Sequence, residues 1–163
     1  GGKNEIKGFE LEMIARPVPE LDLIAGLGFM DDNYTKIDPG AVGVDPDDHL
    51  PVTPKWTLNL GAQYTFNLGN AGSLALRADW NYRSSIYYGA TNEPLEFQKG
   101  YGLMNVRGTY TLPGDKVKIA VYGLNVFDKE YISNAQDVRG PLGVAFGSLG
   151  APSEWGAELS VSF

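Results

Sequence analysis

A strict alternation of apolar and polar residues runs through this chain. Every even-numbered residue from Trp56 to Phe66 is apolar, and every odd-numbered residue from Lys55 to Asn67 is polar or glycine. Successive side chains of a β-strand point to opposite faces, so this pattern predicts a strand with one apolar and one polar face. The same alternation recurs, cleanly or less cleanly, in residues 9–15, 21–30, 73–83, 103–112, 117–124 and 155–163. We therefore predict seven strands and no helix.

The length of these strands and the placement of charge favour a membrane barrel. Strands in soluble proteins commonly have about 5–6 residues, whereas transmembrane strands need about 9–11. An ionised side chain on the lipid face costs about 2–4 kcal/mol at the bilayer midplane, and the apolar set of each strand carries none. Although a soluble β-sandwich would also keep charge off its apolar face, the charged residues all fall in the opposite set: Glu10, Glu12, Asp22, Arg77, Asp79, Arg107, Lys118 and Glu158.

The connections between strands alternate strictly between short and long. Short connections are predicted at residues 16–20, 68–72 and 113–116, and long ones at 32–53, 84–99 and 133–154. An up-and-down membrane barrel has short periplasmic turns and long extracellular loops, whereas a Greek-key sandwich has no reason for this alternation. Aromatic residues also fall near both ends of the strands, as in the girdles of membrane barrels: Trp56, Trp80, Tyr82 and Trp155 at the upper end, and Tyr64, Phe66 and Tyr110 at the lower end.

Composition excludes several functions. The net charge of −7 argues against a nucleic-acid partner. The chain has no cysteine and one histidine, His49, so it has neither a thiolate nor a histidine-built metal centre, and no Ser-His-Asp site is indicated. No carboxylate pair is singled out for glycosidase chemistry. We therefore predict no enzyme and no cofactor. Six aspartates lie in one acidic segment: Asp31, Asp32, Asp38, Asp45, Asp47 and Asp48. Their carboxylates could bind calcium, but they lack the spacing of a calcium-binding loop, so we favour a solvated acidic loop.

Three stretches resemble the C-terminal part of the barrel of TonB-dependent outer-membrane receptors. Residues 122–131 are similar to the "N-L-F-D-K-x-Y" stretch on that family's penultimate strand, residues 155–163 to its closing strand, and residues 8–17 to a "G-x-E-x-E…P" hairpin. The motif residues are Asn125, Phe127, Asp128 and Tyr131. We expect Asn125 and Asp128 to turn or bulge the strand at its upper rim.

The resemblance implies an all-β, antiparallel, up-and-down barrel of 22 strands with a plugged lumen. Seven strands would not close it, because the first and last run in the same direction and bacterial barrels use an even, antiparallel count. The chain also begins at Gly1 without a methionine. We therefore expect residues 1–163 to be the C-terminal third of such a barrel, without the plug domain and the TonB-contacting segment.

The function implied by the resemblance is active import of a nutrient such as a ferric siderophore. The implied partners are outer-membrane lipid, the barrel-assembly machinery, the plug and remaining strands, the TonB system and a small-molecule ligand such as a metal chelate. The alternatives are a passive or structural barrel without TonB coupling and a soluble β-sandwich binding domain.

Two groups of residues are candidates for specific contacts. The last strand resembles the signal read by the barrel-assembly machinery, carried by Trp155, Leu159, Val161 and Phe163. The second group is expected to face the lumen: Arg77, Asp79, Arg83 and Arg107. These side chains could contact a plug or an anionic ligand, but we favour the interpretation that they pair with one another across strands within the wall.

Overall fold

The structure is a computed structural model that describes residues 2–163. Its strands in chain order are β1 Lys3–Val18, β2 Leu21–Lys36, β3 Trp56–Asn67, β4 Ser73–Arg83, β5 Ile86–Tyr87, β6 Phe97–Gln98, β7 Tyr101–Thr111, β8 Val117–Leu124, β9 Ile132–Val138, β10 Val144–Leu149 and β11 Glu154–Val161. One helix, α1 Arg139–Leu142, lies between β9 and β10, and single 3₁₀ turns cover Gly69–Ala71 and Pro94–Glu96. No helix within residues 2–163 is long and apolar enough to cross a membrane.

The seven long strands form one antiparallel sheet in the order β1-β2-β3-β4-β7-β8-β11. This confirms the seven-stranded, up-and-down, antiparallel prediction. Within residues 2–163, β1 pairs only with β2 and β11 pairs only with β8, so the sheet is not closed into a barrel. We call this sheet the wall.

The register of the wall aligns the two predicted faces from strand to strand. Leu60 lies opposite Ala25 on β2 and Trp80 on β4. Gln63, from the other set, lies opposite Asp22 and Arg77. Because the side-chain period of a strand is two, this register places all apolar sets on one face, the apolar face, and the polar sets on the other, the polar face.

The first hairpin is longer than predicted. Strands β1 and β2 have 16 residues each and pair out to Lys3 and Lys36, beyond the predicted ranges 9–15 and 21–30. Both faces of this extension carry polar residues, such as Asp32 on one face and Asn33 on the other, so it has no alternation that could reveal a strand. The predicted start of the long loop at residue 32 was therefore wrong.

The short turns lie at one end of the wall and the long connections at the other. The long connections contain the β5–β6 and β9–β10 hairpins, so the prediction of loops without strands or helix was wrong there. We call residues 37–55, 84–100 and 125–153 the loop layer. Six of the eight buried residues within 2–163 lie in this layer or directly against it: Asp32, Ile86, Glu96, Gln98, Asn125 and Ala135. The wall contains the other two, Ala120 and Gly123.

Candidate functional site

An ion pair on the polar face joins Arg77 to Asp79. The two residues are two positions apart on β4 and therefore share a face. The Nε of Arg77 donates to Oδ2 of Asp79 at 2.7 Å, and its Nη2 donates to Oδ1 at 2.6 Å. This two-pronged geometry is the strong form of an arginine–carboxylate contact. The favoured prediction of pairing across strands was wrong for this pair, because both partners belong to one strand.

Arg107 does pair across strands. Its Nη2 donates to Oε2 of Glu158 on β11 at 2.9 Å and reaches over β8 to do so. Its guanidinium also lies 5.8 Å from the ring centroid of Tyr122, a distance at which cation–π attraction operates. Together with the Arg77–Asp79 pair, these side chains line an open cavity of about 400 Å³ on the polar face. Two positive and two negative side chains balance within it, and all four remain partly exposed.

The structure separates Arg83 from the other three predicted lumen residues. Arg83 ends β4 on the same face, but its side chain enters the loop layer. There its Nη2 donates to the hydroxyl of Tyr88 at 3.1 Å, and its guanidinium carbon lies 4.8 Å from the ring centroid of Tyr101. Its Nε is buried without a hydrogen-bond partner among residues 2–163.

Buried polar side chains tie the long connections to one another. Glu96 Oε1 accepts a hydrogen bond from the main-chain amide of Asp137 at 2.8 Å, and Gln98 Oε1 accepts one from Ile132 at 2.7 Å. Asn92 makes two hydrogen bonds with the main chain of His49, at 2.8 and 2.9 Å. The sequence contained no periodic signal for Glu96 or Gln98, because their partners are 41 and 34 residues away.

The acidic segment does not form a single solvated group. Asp32 is buried; its Oδ2 accepts from the amide of Leu50 at 2.6 Å, and its Oδ1 lies 3.4 Å from Nδ1 of His49. The prediction of a solvated carboxylate was therefore wrong for Asp32. The neighbouring Asp31 pairs with Lys55 at 3.0 Å. Within residues 2–163, no three acidic or histidine side chains come together as a metal site.

The motif residues 125–131 lie beyond the end of β8, at the rim where Asn125 and Asp128 were expected to turn or bulge the chain. Asn125 and Asp128 have φ angles of 46° and 49°, in the left-handed region that Asn and Asp tolerate best among residues with a side chain. The Asn125 amide group accepts from the amide of Lys129 at 2.9 Å and donates to the carbonyls of Lys129 and Ala151, both at 3.1 Å. Asp128 accepts from the amide of Ser153 at 2.8 Å. The motif thus forms a turn that joins the two ends of the last long connection.

The other motif side chains have different surroundings. Phe127 is mostly exposed. The ring of Tyr131 stacks on Tyr101, with 4.4 Å between centroids and 21° between planes.

The predicted assembly residues lie on the last strand and just past it. Trp155, Leu159 and Val161 occupy the apolar face of β11 and are exposed, and Phe163 follows the end of that strand. The Trp155 ring covers Gly123 on β8, where an added Cβ would lie 2.9 Å from ring carbons. A glycine facing an aromatic side chain across strands is a recurrent packing arrangement in β-sheets, and it accounts for part of the high glycine content.

Comparison with known proteins identifies the family of this polypeptide. A family model described as "TonB dependent receptor-like, beta-barrel" matches residues 1–126. The chain belongs to the TonB-dependent receptor β-barrel family. This family is one of transport receptors of the Gram-negative outer membrane.

Solved structures share the fold of this receptor chain. The ferric yersiniabactin uptake receptor FyuA from Yersinia pestis has a TM-score of 0.85 at 18% identity, over 99% of this chain and 24% of its own. BauA, the ferric preacinetobactin receptor from Acinetobacter baumannii, has a TM-score of 0.75 at 24% identity, over 98% and 22%. The copper transporter OprC has a TM-score of 0.70 at 18% identity, over 99% and 24%. The receptor chain thus spans about a quarter of the length of these proteins.

Proposed function

We propose that this chain supplies part of the barrel wall and three extracellular loops of an outer-membrane receptor that imports a metal chelate, such as a ferric siderophore, by TonB-dependent active transport. The observation that carries the proposal is a seven-stranded wall with one apolar and one polar face in a chain of this receptor family. The named cargoes of proteins with the same fold, ferric yersiniabactin and ferric preacinetobactin, support a chelated metal as the ligand class.

Outer-membrane lipid is the proposed partner of the apolar face. Phe29 and Trp56, with ring centroids 4.6 Å apart, form an aromatic cluster near the loop layer. Tyr64 and Phe66, also 4.6 Å apart, form another near the short turns. Aromatic side chains are enriched at both lipid–water interfaces because they combine an apolar body with a polar or polarisable edge. The two clusters would therefore mark the two borders of the bilayer.

The plug domain is the proposed partner of the polar face. Arg77, Asp79, Arg107 and Glu158 line the open cavity there, and their exposed edges retain hydrogen-bonding capacity. A surface with balanced charges suits a polar protein domain better than a single anionic ligand, because a net charge would be needed to hold an anion. The TonB system would act on the plug through segments outside this chain.

The barrel-assembly machinery is the proposed partner of β11 during insertion. Trp155, Leu159 and Val161 present an apolar row on a strand whose second edge is unpaired within residues 2–163. An unpaired edge is a template for β-augmentation by another chain. Phe163 adds an exposed aromatic side chain two residues past the end of that strand.

Cellular uptake of radioactive metal chelates tests the transport proposal. The full-length receptor is produced in a strain without other siderophore receptors, with TonB present or deleted, and offered ferric chelates and copper separately. We expect binding with and without TonB, but accumulation only with TonB. Accumulation that continues unchanged without TonB would instead establish a passive barrel, and the absence of binding to any metal species would refute the ligand class.

A further inference from the structure

Two of the long connections are joined to each other and to the wall at one point. We infer that Arg83 is a positioning residue which, through Tyr88, holds residues 84–100 and 125–153 as one unit, so that the two loops open and close together. This inference rests on the proposed function only in placing the loops outside the cell. The coupling itself follows from contacts within the chain.

The hydrogen bonds around Tyr88 have only one possible direction. An arginine side chain only donates and a carbonyl oxygen only accepts. The Tyr88 hydroxyl, 2.6 Å from the carbonyl oxygen of Ile132, must therefore donate its single proton there and accept from Arg83. Tyr88 belongs to residues 84–100, here the first loop, and Ile132 to residues 125–153, here the second loop. Arg83 belongs to the wall. One hydroxyl group consequently connects all three.

A stack of side chains provides a second connection at the same place. The Arg83 guanidinium lies over the ring of Tyr101, which starts β7, and Tyr101 stacks on Tyr131 of the second loop. Gly150 packs against the Tyr131 ring, which an added Cβ would overlap. The second loop is therefore held to the wall near both of its ends.

Two buried side-chain acceptors make further connections between the same two loops. Glu96 and Gln98 of the first loop accept hydrogen bonds from the main-chain amides of Asp137 and Ile132 in the second loop. If one loop opened alone, these buried groups would lose their partners, and an unsatisfied buried polar group is unfavourable. Opening both loops together keeps them paired. Residues 37–55 are joined to residues 84–100 by hydrogen bonds between the His49 main chain and Asn92 and from the Val52 amide to the Tyr87 carbonyl, none of which involves a buried carboxylate.

Hydrogen exchange measured by mass spectrometry on the full-length receptor in lipid nanodiscs tests the coupling. Tyr88→Phe keeps the ring but removes the hydroxyl, and Arg83→Gln removes the guanidinium. The reporters are peptides that contain Ile132 and Asp137, whose amides contact neither substituted side chain. We expect both loops to exchange about tenfold faster in each variant, equivalent to about 1.4 kcal/mol.

Lys118→Gln is the control, because it removes an exposed positive charge from the same face but leaves the loop layer and the cavity on the polar face untouched. It should leave exchange in both loops unchanged. Faster exchange confined to residues 84–100, or no change in either loop, would refute the inference. Tyr88→Phe stands as the test even if Arg83→Gln does not insert. Since exchange is read without any ligand, failure of the transport proposal would not alter this result.

Discussion

The wall and the loop layer are stabilised by different means. The wall has three buried residues, of which Asp32 lies against the loop layer, and its large apolar side chains remain exposed: Leu60 is 42% and Leu76 47% exposed. Strand pairing therefore holds it together, with the lipid that we propose as the partner of its apolar face. The loop layer buries Glu96, Gln98 and Asn125, each with specific hydrogen-bond partners.

This difference determines how each region should respond to substitution. A wall position requires a class of side chain, because lipid accepts any apolar group and the lumen any polar one. A loop-layer position requires one particular side chain, because its partner is a single donor or acceptor at a fixed distance. Changes of class should therefore damage the wall, whereas conservative changes should already damage the loop layer.

The largest effect is expected from a change of class on the apolar face. Ala78→Arg places a charge on the apolar face at mid-height of β4, opposite Ala62 and Val106, and should destabilise the barrel by about 2–4 kcal/mol. Urea unfolding of the full-length receptor in lipid vesicles, followed by heat-modifiable mobility on gels, measures this effect.

Asn81→Arg is the control, because Asn81 lies on the same strand but on the polar face. It should cost less than about 1 kcal/mol, since charged side chains on the lumen side remain hydrated. Equal destabilisation by the two substitutions would show that the faces have been assigned wrongly.

The next effect is expected in the turn that follows β8. Asn125→Ala removes three side-chain hydrogen bonds and leaves the Lys129 amide and the Ala151 carbonyl without their partner. We expect about 2–3 kcal/mol of local destabilisation, read as faster hydrogen exchange or proteolysis within residues 125–153. Asn125→Gly keeps the freedom to adopt a positive φ, so it should recover part of the loss. If the barrel itself unfolded more easily in Asn125→Ala, wall and loop layer would not be separable.

A smaller effect is expected from one added methyl group in the loop layer. A Cβ at Gly89 would overlap Oε2 of the buried Glu96. Glu96 is held by the Asp137 amide, so it has little room to move. Gly89→Ala should therefore cost about 1–2 kcal/mol locally, seen as faster exchange in residues 86–98 and 132–138. Gly140→Ala is the matched control, since an added Cβ there meets nothing within 4 Å, and it should change neither segment.

The wall was predictable because it has one apolar and one polar face, so apolar and polar residues alternate along each strand with a period of two. Strand β4 was predicted at residues 73–83 and occurs there, and β3 was predicted at 56–66 and ends one residue later. The hairpin extension to Lys3 and Lys36 was missed because both of its faces carry polar residues. The polar-face residues Arg107 and Glu158 were placed correctly by parity. Their pairing was not predicted, because it depends on the order of strands in the sheet across 51 residues.

The loop layer could not be predicted because its contacts have no period and no local signature. Tyr88 and Ile132 are 44 residues apart, and a single hydroxyl joins them. A glutamate near a proline, such as Glu96, ordinarily indicates an exposed turn, and only the arrival of the Asp137 amide makes its burial possible. Proximity of this kind arises from the order of strands in the wall, which brings the two connections side by side.

The smallest effect is expected where the loop layer has an ion pair with a half-exposed arginine instead of a fully buried contact. Hydrogen bonds from the Arg139 side chain hold the pKa of Asp137 below its ordinary value. The carboxylate therefore stabilises the turn above the ordinary pKa, and this contribution is lost as the pH falls through the lowered one. The amide at position 139, which donates to Asp137 Oδ1 at 3.0 Å, reports the loss as faster exchange after correction for the intrinsic rate. Arg139→Gln should move this transition to higher pH while leaving the barrel and the Glu96 contact unchanged, since an ion pair with a half-exposed arginine contributes little to overall stability. A transition that stays at the same pH in the variant would mean that the turn, and not the ion pair, sets the protonation of Asp137.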